Sequence, residues 1–108
     1  MDGKQPMVEK YSFGTYIIVY NGQIYNTKEL KKILLENNFK IDSHSDTEIL
    51  LKSYIHYGND VVKHLNGIFA FAIWDTQKNQ IFLARDHFGV KPLFYTIVDR
   101  TLVFSSEI

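Results

Sequence analysis

An asparagine-glycine pair near the start of the chain offers two hydrogen-bond donors side by side. Asn21 and Gly22 directly follow Thr15 to Tyr20, a β-branched and aromatic stretch that predicts a strand, so we expect Asn21 at a strand end. The asparagine presents a side-chain amide, and the glycine, which has no Cβ, lets a ligand approach its backbone N–H. Two such donors suit an acyl-transfer site, where each stabilises a developing oxyanion by about 2.7–4 kcal/mol.

The same pair has a second interpretation as the turn of a β-hairpin, which on composition alone is the commoner use. A two-residue hairpin needs another strand immediately afterwards. Here Gln23 to Asn26 leads instead into apolar residues at helical spacing. Asn26 and Glu29 are spaced as a capping box for this helix, which should end near Asn37. The hairpin is therefore the weaker interpretation at this position.

Two carboxylates open the next predicted helix. Ser45 begins this helix as its N-cap, Glu48 follows at the capping-box position, and Gly58 ends it. Asp46 lies in the first turn, where the helix dipole favours a carboxylate for structural reasons alone. Because capping does not use Asp46, it is also a candidate to hold a substrate ammonium group through a charge-assisted hydrogen bond.

The second half of the chain predicts strands. A short helix is expected from Asp60 to His64, and Asp86 to Pro92 forms the longest of the later connections. The predicted strands are Ile68 to Trp74, Gln80 to Arg85, Leu93 to Val98 and Thr101 to Ser105. A strand, two helices and then a run of strands indicate an α+β fold class, a mostly antiparallel β-sheet with helices on one face.

Two further groups of residues receive structural interpretations. Arg85, Asp86 and Lys91 form a charged cluster between two strands, and we expect an Arg-Asp pair that braces the long loop and has no catalytic role. The aromatic residues are spaced as core, since a base-stacking surface would need basic neighbours. They are Tyr25, Phe69, Phe71, Trp74, Phe82, Phe94 and Phe104.

Composition narrows the function classes. The chain has 108 residues, 45% of them hydrophobic, which fits one packed domain. Twelve basic and twelve acidic residues cancel, so neither nucleic acid nor a membrane surface is an expected partner. No apolar run approaches the roughly 20 residues of a spanning helix. With no cysteine and no histidines at metal-ligand spacing, we expect no thiolate chemistry, no metal site and a cytoplasmic location.

Five collinear segments resemble a known family. VYNGQIYN, SDTEILL, LNGIFAFAIWD, LARDHFGVKPLFY and FSSEI are similar, in this order, to the N-terminal glutaminase domain of glutamine-hydrolysing asparagine synthetases. These are class II glutamine amidotransferases of the N-terminal-nucleophile hydrolase superfamily. FAFAIWD and FGVKPLFY favour that family over the glucosamine-phosphate and phosphoribosylamine amidotransferases. The resemblance implies that the chain forms part of an αββα sandwich.

The resemblance assigns roles to four residues. Asn21, through its side chain, and Gly22, through its backbone N–H, would form the oxyanion hole for glutamine hydrolysis. Asp46 would hold the α-amino group of glutamine. Gln23 stands where the family usually has a glutamate that binds the head group of the substrate. The amide keeps an acceptor but loses a charge, so weaker glutamine binding is expected.

Other family features have no counterpart in the chain. Family members use an N-terminal cysteine, with its own α-amino group as base, and an arginine that binds the substrate carboxylate. GKQPM at positions 3 to 7 matches a motif, GGxQPM, that lies well inside the family domain. We therefore expect residues 1–108 to be a partial glutaminase domain, inactive alone and without cofactors of its own. ATP and magnesium would belong to the synthetase domain of the parent protein, which amidates aspartate.

Two alternatives remain open at this point. The chain could be a stand-alone, non-catalytic module that binds glutamine or a protein partner. It could also be the glutaminase half of another class II amidotransferase, because the acceptor is selected outside this domain. For the partial domain, the aromatic-rich strands predict self-association, since a partial sandwich leaves apolar sheet surface exposed.

Overall fold

The computed structural model describes residues 6–43 and 45–86, together with the backbone of 93–98 and 101–106. Its helices are α1 (Thr27–Glu36) and α2 (Asp46–Tyr57), and a 3₁₀ helix (Gly58–His64) follows α2 directly. Its strands are β1 (Met7–Tyr11), β2 (Gly14–Ile24), β3 (Gly67–Asp75), β4 (Gln80–Arg85), β5 (Leu93–Val98) and β6 (Thr101–Ser106).

The described strands form one antiparallel sheet in chain order, β1 to β6. Each of the last four strands agrees with its predicted range to within one residue at each end. The first strand was not predicted, because MVEKY is short and half charged, yet its residues pair regularly with β2 from Met7 opposite Ile18 to Tyr11 opposite Gly14. The predicted α+β class, with its mostly antiparallel sheet, is confirmed.

The two faces of this sheet differ in what covers them. Alternate residues of β2, such as Ile18, are buried beneath the helices together with Leu34 and Leu50. The residues between them on the strands face the other way, and several large apolar side chains there are exposed. These are Val8, Val19, Ile68 and Trp74. The helices therefore lie on one face, as predicted, and the second face, here called the outer face, is apolar and open.

The end of α1 and both ends of α2 follow the predicted signals. Asn37 closes α1 by donating its backbone N–H to the carbonyls of Ile33 and Leu34, and the next residue, Asn38, has a φ of 69°. Ser45 caps α2 by accepting a hydrogen bond from the Glu48 N–H at 3.2 Å. Gly58 ends α2 with a φ of 68°, a conformation that favours glycine.

The aromatic core was predicted only in part. Phe69, Phe71 and Phe82 are buried, but Tyr25 is 58% exposed and Trp74 is 53% exposed. Trp74 alternates with the buried Ile73 and Asp75 and so lies on the outer face, while Tyr25 follows the end of β2. The side chains of Phe94, Phe104 and Lys91 lie outside the described residues. Among the described helices, none has the length and apolar character to cross a bilayer.

Candidate active site

The candidate oxyanion residues lie within β2 and not beyond its end. Asn21 pairs with Ala70 and Gly22 with Phe69, and the strand continues to Ile24. The prediction that the Asn-Gly pair ends the strand was therefore wrong. The physical reason is a second glycine: Gly67, opposite Ile24, lets β3 approach this part of β2 closely.

Steric constraints at Gly22 explain why no other residue fits there. Its φ is 126°, and a Cβ on Gly22 would lie 2.2 Å from the Ile68 carbonyl oxygen. Gly67 mirrors this, since a Cβ there would lie 2.2 Å from the Gln23 carbonyl oxygen. Glycine at position 22 is thus required by strand packing as well as by any ligand that approaches its backbone.

The backbone N–H of Gly22 points away from β3. Phe69, its partner, uses both backbone groups on the opposite side: its carbonyl accepts from the Asp86 N–H at 3.1 Å, and its N–H donates to Asp86 Oδ1 at 2.9 Å. In an antiparallel pair the hydrogen-bonding direction alternates along the strand, so Gly22 directs its N–H towards the β1 side. The described part of β1 starts at Met7, opposite Ile18. Within the described residues, no strand pairs with β2 beside Gly22 on the β1 side.

This contact also corrects the interpretation of Asp86. Its carboxylate accepts from the backbone of β3 and, within the described residues, makes no ion pair with Arg85. The predicted Arg-Asp pair was wrong: the Asp86 carboxylate accepts from the backbone N–H of Phe69 instead. Lys91, the third member of the predicted cluster, lies outside the described residues.

Asn21 and Gln23 share the outer face. They alternate with Tyr20 and Ile24, which are buried on the helix side, and both are exposed. The side chain of Asn21 stands on the outer face, and the Gly22 N–H lies in the plane of the sheet at its edge. The two donors therefore open onto one corner of the sheet, and Gln23 lies on the same face two residues further along.

Asp46 reaches the same end of β2 from the helix side. It lies in the first turn of α2, and its charge acts on the buried hydroxyl of Tyr20. Burial raises the pKa of Tyr20 to about 12, and the negative charge of Asp46 contributes to this increase. A hydrogen bond from the backbone of Ile24 acts in the opposite direction and lowers the pKa. The backbone of Ile24 faces the same edge of β2 as that of Gly22, so the Tyr20 hydroxyl that Asp46 influences lies towards this edge.

The segment before α2 is held by Glu48. Its carboxylate accepts from the Asp42 N–H at 2.7 Å, from the Ser43 N–H and hydroxyl at 2.6 Å each, and from Lys52 Nζ at 2.7 Å. Burial alone would raise the pKa of Glu48, but these hydrogen bonds outweigh it and lower the pKa to about 2. Glu48 thus positions the first turn that carries Asp46.

The predicted capping box was therefore half right. Ser45 accepts from the Glu48 N–H, but its own N–H donates to Ser43 Oγ at 3.2 Å and not to Glu48. The buried Glu48–Lys52 pair was not predicted, although its i, i+4 spacing on a helix is a readable signal.

Asn26 has a different role from the predicted one. Its side chain does not cap α1. Instead Nδ2 donates to the His64 carbonyl at 2.8 Å, and Oδ1 accepts from the Asn66 N–H at 2.9 Å. The Tyr25 N–H adds a bond to the Asn66 carbonyl at 2.6 Å. These three bonds tie the end of β2 to the start of β3, next to the donor pair.

The site combines donors and a carboxylate without a thiol. The chain contains no cysteine, and the described residues include no group of three or more metal-ligating side chains. The arrangement is therefore suited to holding an ammonium group at Asp46 and a polarised carbonyl at Asn21 and Gly22.

Relatives with similar sequences are large enzymes. The chain is 52% identical over 106 residues to asparagine synthetase [glutamine-hydrolyzing] 3 of Bacillus subtilis, and the match covers 98% of this chain and 17% of that protein. It is 44% identical over 108 residues to asparagine synthetase [glutamine-hydrolyzing] 2 of the same organism, covering all of this chain and 14% of the relative. Amidase chry2 of Gibberella zeae is 39% identical over 106 residues, covering 98% of this chain and 15% of the relative. The chain thus spans about one-sixth of the length of such relatives.

The fold has known counterparts as well. Glutamine phosphoribosylpyrophosphate amidotransferase from Bacillus subtilis superposes with a TM-score of 0.73 at 20% identity, covering 95% of this chain and 31% of that one. This likeness supports the fold. A family profile described as a glutamine amidotransferase domain matches residues 1–108. The resemblance seen in the five segments is confirmed, and the chain belongs to the glutamine amidotransferase domain family.

Proposed function

We propose that this chain supplies the substrate-binding and oxyanion-stabilising part of a glutamine-hydrolysing site. The observation that carries this proposal is what lies at one end of β2: the exposed Asn21 side chain, the Gly22 N–H directed away from β3, and Tyr20, whose hydroxyl is influenced by the Asp46 charge. Glutamine has a carboxamide that would meet the donors and an α-ammonium that would meet Asp46. Its extended side chain matches a site that has two ends.

The chemistry at the donors follows from charge development. When a nucleophile adds to the carboxamide carbon, the carbonyl oxygen gains negative charge, and the Asn21 amide and Gly22 N–H stabilise it. The intermediate then collapses with loss of ammonia. The thiolate expected for this family is not encoded within these 108 residues, so the chain acts here as the donor half of the site.

The parent activity is proposed to be that of an asparagine synthetase. Ammonia released at this site would amidate aspartate in a separate domain, with ATP and magnesium used there. No step at the residues described above involves either cofactor. Gln23 provides neutral acceptor capacity, so the α-ammonium relies on Asp46 for its charge partner, and glutamine binding should be correspondingly weak.

The setting of the protein is proposed in the same terms. A net charge of zero supports a small molecule such as glutamine as the partner, because nucleic acid and membrane surfaces attract basic proteins. The absence of cysteine is in keeping with a cytoplasmic location. The exposed outer face, where Ile68 is 61% exposed, supports self-association of this chain through its apolar strands. A monomer at ~0.1 mM in light scattering would contradict self-association.

Titration of the 108-residue chain with L-glutamine, followed by amide NMR shifts, tests the binding role. Shifts should centre on Asn21 to Gln23 and Asp46, and Asp46→Asn should weaken binding about tenfold by removing a charge-assisted hydrogen bond. D-glutamine and the Asp60→Asn variant, which alters an exposed carboxylate on the 3₁₀ helix, are the matched controls. Equal binding of both enantiomers, or an unaffected Asp46→Asn variant, would overturn the proposal.

Glutamate release by the same chain tests the missing nucleophile. We expect no release above background from the protein of confirmed mass. Release that disappears in Asn21→Ala would instead mean that a hydroxyl or another group of this chain attacks the carbonyl.

A further inference from the structure

The segment of β3 opposite the candidate donors is held by side chains at both of its ends. At one end, Asn26 Oδ1 accepts from the Asn66 N–H at 2.9 Å. At the other end, Asp86 Oδ1 accepts from the Phe69 N–H at 2.9 Å. Gly22 pairs with Phe69, so the second contact lies directly across β3 from the proposed oxyanion donor. The glutamine site proposed above makes no use of Asp86.

The Asp86 side chain serves as an acceptor where the β3–β4 ladder ends. β4 ends at Arg85, which pairs with Ala70, so Asp86 stands where the next partner of Phe69 would be. Its N–H donates to the Phe69 carbonyl at 3.1 Å, as in a regular antiparallel pair. The return bond, from the Phe69 N–H, is accepted by the carboxylate of Asp86. One side chain therefore extends the ladder by a bond beyond the end of β4.

Within the described residues, β3 is the strand that holds Gly22 in place. The pairing of β1 begins only at Met7, opposite Ile18, so it does not reach Gly22. Gly22 and Phe69 exchange no backbone hydrogen bonds, because Phe69 directs both of its backbone groups to Asp86. Their contact is one of close packing, since a Cβ on Gly22 would lie 2.7 Å from the Phe69 Cα. The position of Phe69 therefore sets that of Gly22.

Phe69 itself has two supports. Its ring is buried in the core, with its centroid 5.8 Å from that of Phe71, and its backbone is held by Asp86. The ring fixes the depth of this residue beneath the sheet, whereas a bond in the plane of the sheet fixes its distance from the neighbouring strands. Such precision matters for an oxyanion donor, because misplacement by about 1 Å can cost about 100-fold in rate.

We propose that Asp86 is a positioning residue for the Gly22 oxyanion donor and acts through Phe69. This inference rests on the proposed glutamine site and adds a residue on the far side of β3 from the substrate. The role requires a hydrogen-bond acceptor at the end of the side chain and not a negative charge. Asparagine should therefore replace Asp86, whereas alanine should not. Because Asn26 still holds the other end of the segment, Asp86→Ala should remain folded.

Amide NMR of the ligand-free 108-residue chain tests the positioning step by itself. In Asp86→Ala, hydrogen exchange of the Phe69 N–H should be faster by about tenfold, the effect of losing one hydrogen bond. The Gly22 amide resonance should shift as well. Two strand spacings of about 4.8 Å each separate Asp86 from Gly22, so this shift would report movement of β3 and not a direct contact. Asp86→Asn should preserve both signals, and Asp60→Ala, on the 3₁₀ helix, is the control.

Titration with L-glutamine then measures the consequence at the site. Asp86→Ala should weaken binding about three- to tenfold, because the Gly22 N–H is no longer aimed at the carboxamide, and Asp86→Asn should bind within about twofold of the unsubstituted chain. The shifts of Gly22 at saturation should shrink in Asp86→Ala, while those of Asp46, at the ammonium end, should persist. A general loss of structure would instead reduce the shifts at both ends together.

Two results in the ligand-free chain would overturn the inference. One is an unchanged Gly22 resonance in Asp86→Ala. The other is an Asp86→Asn variant that behaves like Asp86→Ala, which would mean that the carboxylate acts through its charge. If Asp86→Ala does not fold, Asp86→Glu, which displaces the acceptor by one methylene, takes its place in both comparisons. An absence of glutamine-induced shifts in the unsubstituted chain would contradict the glutamine site instead, so the two failures are distinguishable.

Discussion

Two carboxylates in one turn of α2 are used in opposite ways. Glu48 is 2% exposed and accepts hydrogen bonds from a loop and from a buried lysine, whereas Asp46 is half-buried and, among the described residues, influences Tyr20 through its charge alone. The first is committed to holding the fold. The second remains available to a ligand. Proximity along a helix therefore says little about the function of two residues, because the elements packed around each side chain decide its use.

Breaking the structural carboxylate should have the largest effect. Glu48→Gln removes the carboxylate nearest to buried Lys52, which keeps Glu9 and Asp42 only at 3.9 and 3.8 Å, so we expect a loss of about 3 kcal/mol in the free energy of unfolding, measured by urea denaturation. Glu36→Gln, on the exposed side of α1, is the control and should change stability by less than about 0.5 kcal/mol. Asp46→Asn should resemble the control. A small effect of Glu48→Gln on stability would contradict the structural role of Glu48.

The same carboxylate should make stability depend on acid. The pKa of Glu48 is lowered from 4.5 to about 2 in the fold, so the unfolded chain binds more protons between these values. The stabilisation is present in full above pH 4.5 and should be lost, by about 3 kcal/mol, as the pH falls towards 2. Unfolding free energies measured across this range check it. Glu48→Gln should flatten that part of the profile, and an unchanged slope would refute the assignment.

Substitution of Gly22 tests the candidate site, the other half of this comparison. Gly22→Ala must adopt a φ of 126° and place its Cβ against the Ile68 carbonyl, so we expect a loss of about 1–3 kcal/mol in stability. Chemical denaturation gives this value, with Ala70→Ser on the exposed face of β3 as the control. If Gly22→Ala is as stable as the parent chain, the close approach of β3 is not maintained in solution.

Two asparagines provide the smallest and most discriminating test. Asn26→Ala removes two hydrogen bonds between β2 and the segment before β3, and we expect a loss of about 1–2 kcal/mol. Asn21→Ala removes an exposed side chain and should change stability by less than about 0.5 kcal/mol. Thermal unfolding of the pair measures both. Equal losses would mean that Asn21 also has a structural role.

Much of the fold could be predicted because its signals are local. The cap at Ser45, the stop at Gly58 and the alternation in Gln80–Arg85 depend on residues close in the chain. The short first strand was not predicted, since its five residues form a strand only when β2 lies beside them. The exposure of Trp74 was not predicted either, because the strand pattern shows alternation but not which face the helices cover.

The candidate site, too, could be predicted from the sequence only in part. Its residue types, Asn21, Gly22 and Asp46, and their family resemblance were readable from the sequence alone, because chemistry and motif spacing are properties of the chain itself. The direction of the Gly22 N–H was decided only by the tertiary structure, because it depends on how Phe69 is paired with Asp86 across the sheet. The buried partners of Glu48, Lys52 and the segment before α2, were decided there too. Burial and hydrogen-bond partners are set by distant segments, and these meet only in the folded protein.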